Sequence, residues 1–177
     1  MLVYLDTNVL LSRYAPDEQH IEAKSLISRV ESGKLAAVTS VLTLVEVACT
    51  TSRAYEKFNN WEGEMKREEV AGAFLRRVLR TQNLEFIRLG GELAVTSEER
   101  QVQVPALFAL ALEVGSRTGV KSLDALHLAS ASIASRIYSK KVDYFVTLDE
   151  DILKRHKEIR QVIESHVVSP ASMKKQK

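Results

Sequence analysis

Four acidic side chains stand where predicted strands end or predicted helices begin: Asp6, Glu46, Asp124 and Asp149. The predicted strands 2–5 and 142–148 lead directly into the first and last of them, and the short uncharged run at 2–5 is typical of a buried strand. In a parallel sheet the carboxyl ends of the strands share one edge, where ligands bind. The four acids are therefore predicted to converge on one pocket.

Clustered carboxylates favour a bound cation. Like charges a few ångströms apart raise one another's pKa, and a hard divalent ion such as Mg²⁺ or Mn²⁺ relieves that repulsion because it prefers carboxylate oxygens. The only cysteine is Cys49, and no histidine and cysteine set argues for zinc. The hypothesis that follows is metal-assisted hydrolysis of a phosphodiester.

Each acid also has an interpretation without chemistry. Asp6 could cap a helix, and Asp124 could complement a helix dipole. Asp149 and Asp151 could form a solvated turn. Glu46 is harder to explain in this way, because an acid among apolar helix residues is costly unless it is paired or metal-bound. The convergence of the acids, and no single one of them, carries the hypothesis.

Basic residues and one histidine are weaker signals. Five cations could follow a nucleic-acid backbone, although a solvated helix face balanced by nearby glutamates is an equal alternative. These cations are Lys66, Arg67, Arg76, Arg77 and Arg80. His127 follows Asp124 by three residues on the same helical face, so it could either assist the site or belong to the core.

Several enzyme classes can be set aside on their motifs. The chain has no G-x-x-x-x-G-K-[ST], no G-x-G-x-x-G and no G-x-S-x-G, which argues against P-loop, dinucleotide-binding and serine-hydrolase sites. A phosphatase that forms an aspartyl-phosphate on Asp6 is a rival interpretation. It usually needs a second aspartate two residues on, where this chain has Asn8.

The elements that must position the acids alternate between strands and helices. This alternation predicts an α/β fold with a mostly parallel sheet flanked by helices. Strands are predicted at 2–5, 35–39, 84–89 and 142–148, with an edge strand at 160–168, and helices at 21–30, 41–52, 104–114 and 122–137. Residues 1–168 are predicted to form a single domain. Residues 53–81 form an inserted helical arm within it, and residues 169–177 form a frayed basic tail.

Composition agrees with one globular domain. The chain has 177 residues, 45% of them hydrophobic, and a net charge of +2, which permits nucleic acid as a partner without requiring it. Its longest apolar run, 104–112, is shorter than the ~18 residues that a membrane span needs, so no membrane association is expected. A single cysteine, expected to be a buried and inert thiol, suits a reducing, cytoplasmic compartment.

Four segments around the acids resemble the motifs of a known family. They are Val-Tyr-Leu-Asp-Thr-Asn-Val-Leu at 3–10, Ser-Val-Leu-Thr-Leu-Val-Glu-Val at 40–47, Ser-Leu-Asp-Ala-Leu-His-Leu-Ala at 122–129 and Phe-Val-Thr-Leu-Asp-Glu-Asp-Ile at 145–152. Their types and order resemble the PIN domain, the nuclease fold of VapC-type toxins and of several RNA-processing enzymes.

The resemblance implies a Mg²⁺- or Mn²⁺-dependent endoribonuclease with the four acids as its catalytic set. Asp6 and Asp124 would hold the metal most directly, while Glu46 and Asp149 would orient the attacking water or a second ion. Asp151 shares or replaces the role of Asp149 in this interpretation. Asn8 and Thr147 would be supporting polar residues.

The family also implies partners. The expected role is the toxin of a VapBC-type pair, with an RNA substrate, an antitoxin protein as a separate chain, and a homodimeric state. The segment 53–80 makes the chain longer than the compact toxins of this family. A PIN nuclease of RNA processing or decay is therefore an alternative, as is a non-catalytic PIN-like module that binds RNA or protein.

Overall fold

A five-stranded parallel sheet forms the centre of the protein. The computed structural model describes residues 1–14, 20–56, 65–96, 101–137 and 141–175. The sheet contains β1 (Leu2–Leu5), β2 (Ala36–Ser40), β3 (Leu84–Ile87), β6 (Tyr144–Val146) and β7 (His166–Val168), in the order β3-β2-β1-β6-β7. Every neighbouring pair in it is parallel. The predicted α/β fold with a mostly parallel sheet is therefore confirmed.

Helices cover both faces of this sheet. They are α1 (Thr7–Ser12), α2 (Ile21–Glu31), α3 (Leu42–Arg53), α4 (Arg67–Leu79), α5 (Ala106–Thr118), α6 (Ser122–Ile137), α7 (Glu150–Lys154) and α8 (His156–Ile163). Side chains of β1 alternate between two cores, as the pleat of a strand requires. Val3 and Leu5 pack with α1 to α4, whereas Leu2 and Tyr4 pack with α6 to α8.

The helix at 67–79 belongs to the main core. Residues 53–81 were expected to form an arm, and this part of the segment is indeed helical. Val70, Phe74 and Val78 of α4 are nevertheless fully buried against the same core as β1, because their spacing aligns them on one helical face. In the described part of the segment, α4 is thus one of the helices that flank the sheet. Residues 57–64 lie outside the described residues.

The predicted edge strand at 160–168 is mostly helical. Helix α8 continues to Ile163, and only His166–Val168 form β7. Ile159, directly before this segment, and Ile163 within it are four residues apart and both buried, which is a helical spacing. Glu164, with a φ of 60°, ends the helix in the left-handed conformation and lets the chain turn into β7.

An antiparallel hairpin lies outside the main sheet. Strands β4 (Glu92–Thr96) and β5 (Gln101–Pro105) pair with each other, so the helix predicted at 104–114 begins only at Ala106. No strand is predicted here from the sequence. The alternation of glutamine and valine in β5 is a strand pattern, but the residues of both strands are mostly exposed and do not form a buried apolar run like those of the main sheet.

Two local expectations were wrong. Residues 170–175 of the tail expected to be frayed form a 3₁₀ helix, in which Met173 is buried in the main core. Cys49 is exposed on α3, whereas its neighbours Val47 and Thr51 face inward on the same helix. In the described parts of the chain, no helix has the length and apolar character that crossing a bilayer would require.

Truncation of Phe74 tests whether α4 is part of the core. Phe74→Ala is expected to lower the free energy of unfolding by about 3–5 kcal/mol, because a fully buried aromatic ring leaves a cavity. Leu79→Ala on the same helix is the control, since Leu79 is 54% exposed and its truncation should cost less than about 1 kcal/mol. Urea unfolding of both variants measures the difference, and equal losses would contradict this role of α4.

Candidate functional site

Asp6 lies at the carboxyl end of the central strand. Its backbone N–H donates to the carbonyl of Val146 at 3.0 Å, so the pairing of β1 with β6 continues up to this residue. The side chain is buried, and its Oδ1 accepts from the backbone N–H of Thr7 at 2.8 Å, at the start of α1. Asp6 therefore does cap a helix, but this contact uses only one of its two oxygens.

The second oxygen of Asp6 is held by two polar side chains. Its Oδ2 accepts from Thr147 Oγ1 at 2.6 Å and from Asn8 Nδ2 at 2.9 Å. Asn8 Oδ1 in turn accepts from the backbone N–H of Leu148 at 3.0 Å, and Thr147 Oγ1 accepts from that of Asp149 at 2.9 Å. Asn8 and Thr147 thus connect the ends of β1 and β6 and fix the orientation of the Asp6 carboxylate.

Glu46 and His127 form a close pair beside Asp6. Helix α3 follows β2 and carries Glu46, while α6 carries His127, which is only 2% exposed. Glu46 Oε2 and His127 Nε2 are 3.0 Å apart. One ligand atom from each of Asp6, Glu46 and His127 lies within 4.8 Å of the others. On the far side of the ring, His127 Nδ1 is 3.0 Å from the hydroxyl of Tyr4.

Asp124 and Asp149 border this group. Asp124 precedes His127 by three residues on α6 and therefore shares its helical face. Asp149 caps α7, because its Oδ1 accepts from the backbone N–H groups of Asp151 and Ile152. Asp151 instead is exposed and lies 3.8 Å from Lys121 Nζ. The charges of Asp124 and Asp149 interact across the site, whereas Asp151 faces solvent.

The electrostatics show an excess of negative charge. Burial raises the pKa of the Asp6 carboxyl. Burial, together with the charges of Asp149 and Asp6, raises the pKa of Asp124 to about 6. Burial opposes ionisation of both Glu46 and His127, but their contact outweighs it, so the pKa of Glu46 is lowered and that of His127 is raised. The imidazole thus compensates part of the charge that four acids bring together.

The donor set fits a divalent cation. Carboxylate oxygens of Asp6 and Glu46 and one imidazole nitrogen face the same space, and both kinds of atom bind divalent metals. Within the described residues, neither Glu46 Oε2 nor His127 Nε2 has a hydrogen-bond partner of good geometry, although both atoms are buried. Buried polar atoms of native proteins are normally satisfied, so a ligand at this point has a physical reason.

Three of the five basic residues lie away from the acids. Helix α4 is followed by a short turn into β3, whose first residue lies at the amino edge of the sheet. Arg76, Arg77 and Arg80, at the end of α4, therefore lie toward the edge opposite Asp6. Lys66 and Arg67 are at the other end of this helix. A role of these five residues in nucleic-acid binding stays a prediction.

Tyr4 is the site neighbour that sequence reasoning missed. It stands inside an apolar strand segment, and nothing in its local sequence distinguishes it from a core residue. His127 did carry a signal, because its spacing from Asp124 predicted a shared helical face. Its contact with Glu46 required the fold to bring α3 and α6 together.

Comparison with known proteins gives one family. A family model described as the PIN domain matches residues 3–159. No curated protein matches the chain. Among solved structures, VapBC2 from Rickettsia felis bound to a DNA fragment from its promoter has a TM-score of 0.56 at 12% identity, with 96% of this chain and 98% of that chain covered. A toxin-antitoxin complex from Klebsiella pneumoniae has a TM-score of 0.50 at 15% identity, with 95% and 97% covered.

The family match and the structure agree. The matched residues include all four of the predicted acids and four of the five strands of the parallel sheet. The similarity to the two solved structures lies in the fold, given identities of 12% and 15%. The resemblance of the four motifs is therefore confirmed, and the chain belongs to the PIN domain family.

Proposed function

We propose that this protein is a metal-dependent endoribonuclease that hydrolyses phosphodiester bonds of RNA in the cytoplasm. Membership of the PIN domain family supports a nuclease. The observation that carries the proposal is the convergence of four acids whose charges are only partly compensated by His127, since such a cluster is costly unless it binds a cation.

Asp6, Asp124 and Asp149 would hold Mg²⁺ or Mn²⁺ in this pocket. A bound divalent cation would polarise the scissile phosphate and lower the pKa of a water molecule. Asp149 is a better candidate than Asp151, because its charge acts on Asp124 while Asp151 is exposed and close to Lys121. Asp151 remains available as an outer ligand.

The protein's own residues would orient the reactants. Thr147 and Asn8 fix the carboxylate of Asp6 through the hydrogen bonds described above, so that it does not have to reorganise when substrate binds. Glu46 and Asp149 would orient the attacking water. The pKa of about 6 for Asp124 leaves this carboxylate ionised at neutral pH and able to bind a cation.

We further propose the toxin role and its partners. Both similar structures are toxin-antitoxin assemblies, which supports an antitoxin protein as a partner of this chain. Phe108 and Leu112 of α5 are large, apolar and exposed, which suits the expected homodimer or another protein contact. A PIN nuclease of RNA processing or decay would use the same acids and differ only in its partners.

Replacement of single acids tests the nuclease. Asp124→Asn and Asp6→Asn are expected to reduce RNA cleavage at least about 100-fold, because each removes a charge that holds the cation. Asp149→Asn should be impaired more strongly than Asp151→Asn. The measurement is cleavage of single-stranded and structured RNA with Mg²⁺ or Mn²⁺ and with EDTA.

Glu150→Gln serves as the control in this assay. Glu150 lies next to Asp149 but is exposed and 3.4 Å from Lys154 Nζ, so its loss should leave cleavage unchanged. Undiminished cleavage by the Asp6 and Asp124 variants, or cleavage that persists in EDTA, would refute the proposal.

Asp124→Asn is also expected to stabilise the metal-free protein. The folded state raises the pKa of Asp124 from 3.8 to about 6, so this group favours the folded state less as the pH rises through that range. The variant's free energy of unfolding should therefore exceed that of the wild type by about 1–2 kcal/mol at pH 7.5, allowing for partial exposure of the side chain. At pH 4 the difference should be close to zero. Thermal unfolding in EDTA at both pH values tests this, and an equal effect at the two values would contradict the electrostatic cause.

A further inference from the structure

We propose that His127 Nε2 is itself a metal ligand, together with Asp6 and Glu46, and that this nitrogen makes the site bind Mn²⁺ in preference to Mg²⁺. The proposal deepens the proposed function, because both require a divalent cation in this pocket. It differs from the sequence-based expectation, in which every ligand was a carboxylate oxygen.

The separations of the ligand atoms suit a single ion. An octahedral ion with bonds of about 2.1 Å keeps neighbouring ligand atoms about 3.0 Å apart and opposite ones about 4.2 Å apart. Glu46 Oε2 and His127 Nε2 are 3.0 Å apart, and the three ligand atoms lie within 4.8 Å of one another. One cation could therefore contact all three side chains with small adjustments of their rotamers.

The nitrogen lacks the hydrogen bond that a core histidine normally has. Only 2% of the His127 side chain is exposed, and Nε2 makes no hydrogen bond of good geometry with any described residue, although Glu46 Oε2 lies 3.0 Å away. Its neighbour Glu46 Oε2 is equally without one. A metal ion between these two atoms would satisfy both of them at once, which a hydrogen bond of poor geometry does not.

Tyr4 is placed to orient the ring as a ligand. The hydroxyl lies 3.0 Å from Nδ1, and it also interacts with the side chains of Ser40 and Ser130. A phenolic oxygen can accept as well as donate, so this distance allows Nδ1–H to donate to the Tyr4 oxygen. A bound cation would take the place of the Nε2 proton, and with Nδ1–H retained the lone pair of Nε2 would then be directed toward Asp6 and Glu46. Metal-bound histidines commonly donate their other N–H in this way.

A mixed nitrogen and oxygen set separates the two candidate metals. Mg²⁺ binds oxygen ligands almost exclusively, whereas first-row transition ions such as Mn²⁺ accept imidazole. The other interpretation of the same geometry is that His127 only positions Glu46 through their charge contact. In that case, the metal would bind oxygen ligands only, and the preference of the site for Mn²⁺ over Mg²⁺ would not depend on the imidazole.

Pulsed electron paramagnetic resonance of bound Mn²⁺ distinguishes these interpretations. The metal-free full chain is titrated with Mn²⁺ alone, in protein with natural histidine and with ¹⁵N-labelled histidine. The expected result is a ¹⁴N coupling that is replaced by a ¹⁵N coupling after labelling. Competition with Mg²⁺ should show at least about tenfold tighter binding of Mn²⁺.

Three variants test whether the nitrogen coupled to Mn²⁺ belongs to His127. His127→Gln should remove the coupling and bring the two metal affinities within about threefold of each other. His166→Gln is the control, because His166 is exposed and begins β7 at the edge of the sheet opposite the acids, and it should behave as the wild type. Tyr4→Phe keeps Nε2 but removes the hydroxyl beside Nδ1, so it should retain the coupling while weakening Mn²⁺ binding about tenfold.

Several outcomes would overturn the ligand role. Bound Mn²⁺ without a nitrogen coupling in the wild type would make His127 a positioning residue, and this result does not depend on whether His127→Gln folds. Absence of Mn²⁺ binding would refute the metal site altogether. If Mn²⁺ is coordinated by nitrogen but the protein cleaves no RNA, the ligand role of His127 is supported and the proposed nuclease activity is refuted. The two proposals can therefore fail separately.

Discussion

The burial of β1 at the centre of the parallel sheet is the constraint on which the rest of the structure depends. With β2 on one side and β6 on the other, and with helices over both faces, every residue of this strand is buried. The strand is therefore almost entirely apolar, with the hydroxyl of Tyr4 held against His127, and the first ionised side chain appears where the strand ends. Asp6 occupies this point, and the neighbouring strands end nearby because they run in the same direction. The sheet thereby fixes where the charged groups meet, independently of how the surface of the molecule is built.

The concentration of acids at this edge costs stability in the absence of a cation. Hydrogen bonds to the individual carboxylate oxygens limit this cost. Thr7, Asn8 and Thr147 donate to Asp6, the helix that follows Asp149 donates to its carboxylate, and His127 stands against Glu46. What remains is a pocket of oriented carboxylates with too little positive charge. A preorganised site of this kind stabilises charge that develops in a reaction, which is why a cost to folding can benefit catalysis.

Local patterns predicted much of the fold but not all of it. The strands predicted before Asp6 and Asp149 are present, and their helical neighbours gave the α/β architecture. The strand prediction for 160–168 is wrong up to Ile163, because it leaves out Ile159, and these two isoleucines together form the apolar face of a helix that packs in the core beside the sheet. The hairpin β4 and β5 was missed because its exposed residues carry no burial pattern. Helix α4 looked like a separate arm because its many charges concealed a narrow apolar face.

The candidate site, like the fold, has features that follow from the sequence and features that depend on the tertiary structure. The sequence by itself determined which acids are present, their order and their places at the ends of strands and the starts of helices, because each of these properties follows from residues adjacent in the chain. Only the tertiary structure decided that Glu46 meets His127, that Tyr4 contacts the ring from behind, and that Asp149 rather than Asp151 faces Asp124. Tyr4 and His127 are 123 residues apart. Their contact depends on how α6 packs across the sheet, and this packing is a collective result of the whole core that no local pattern of residues encodes.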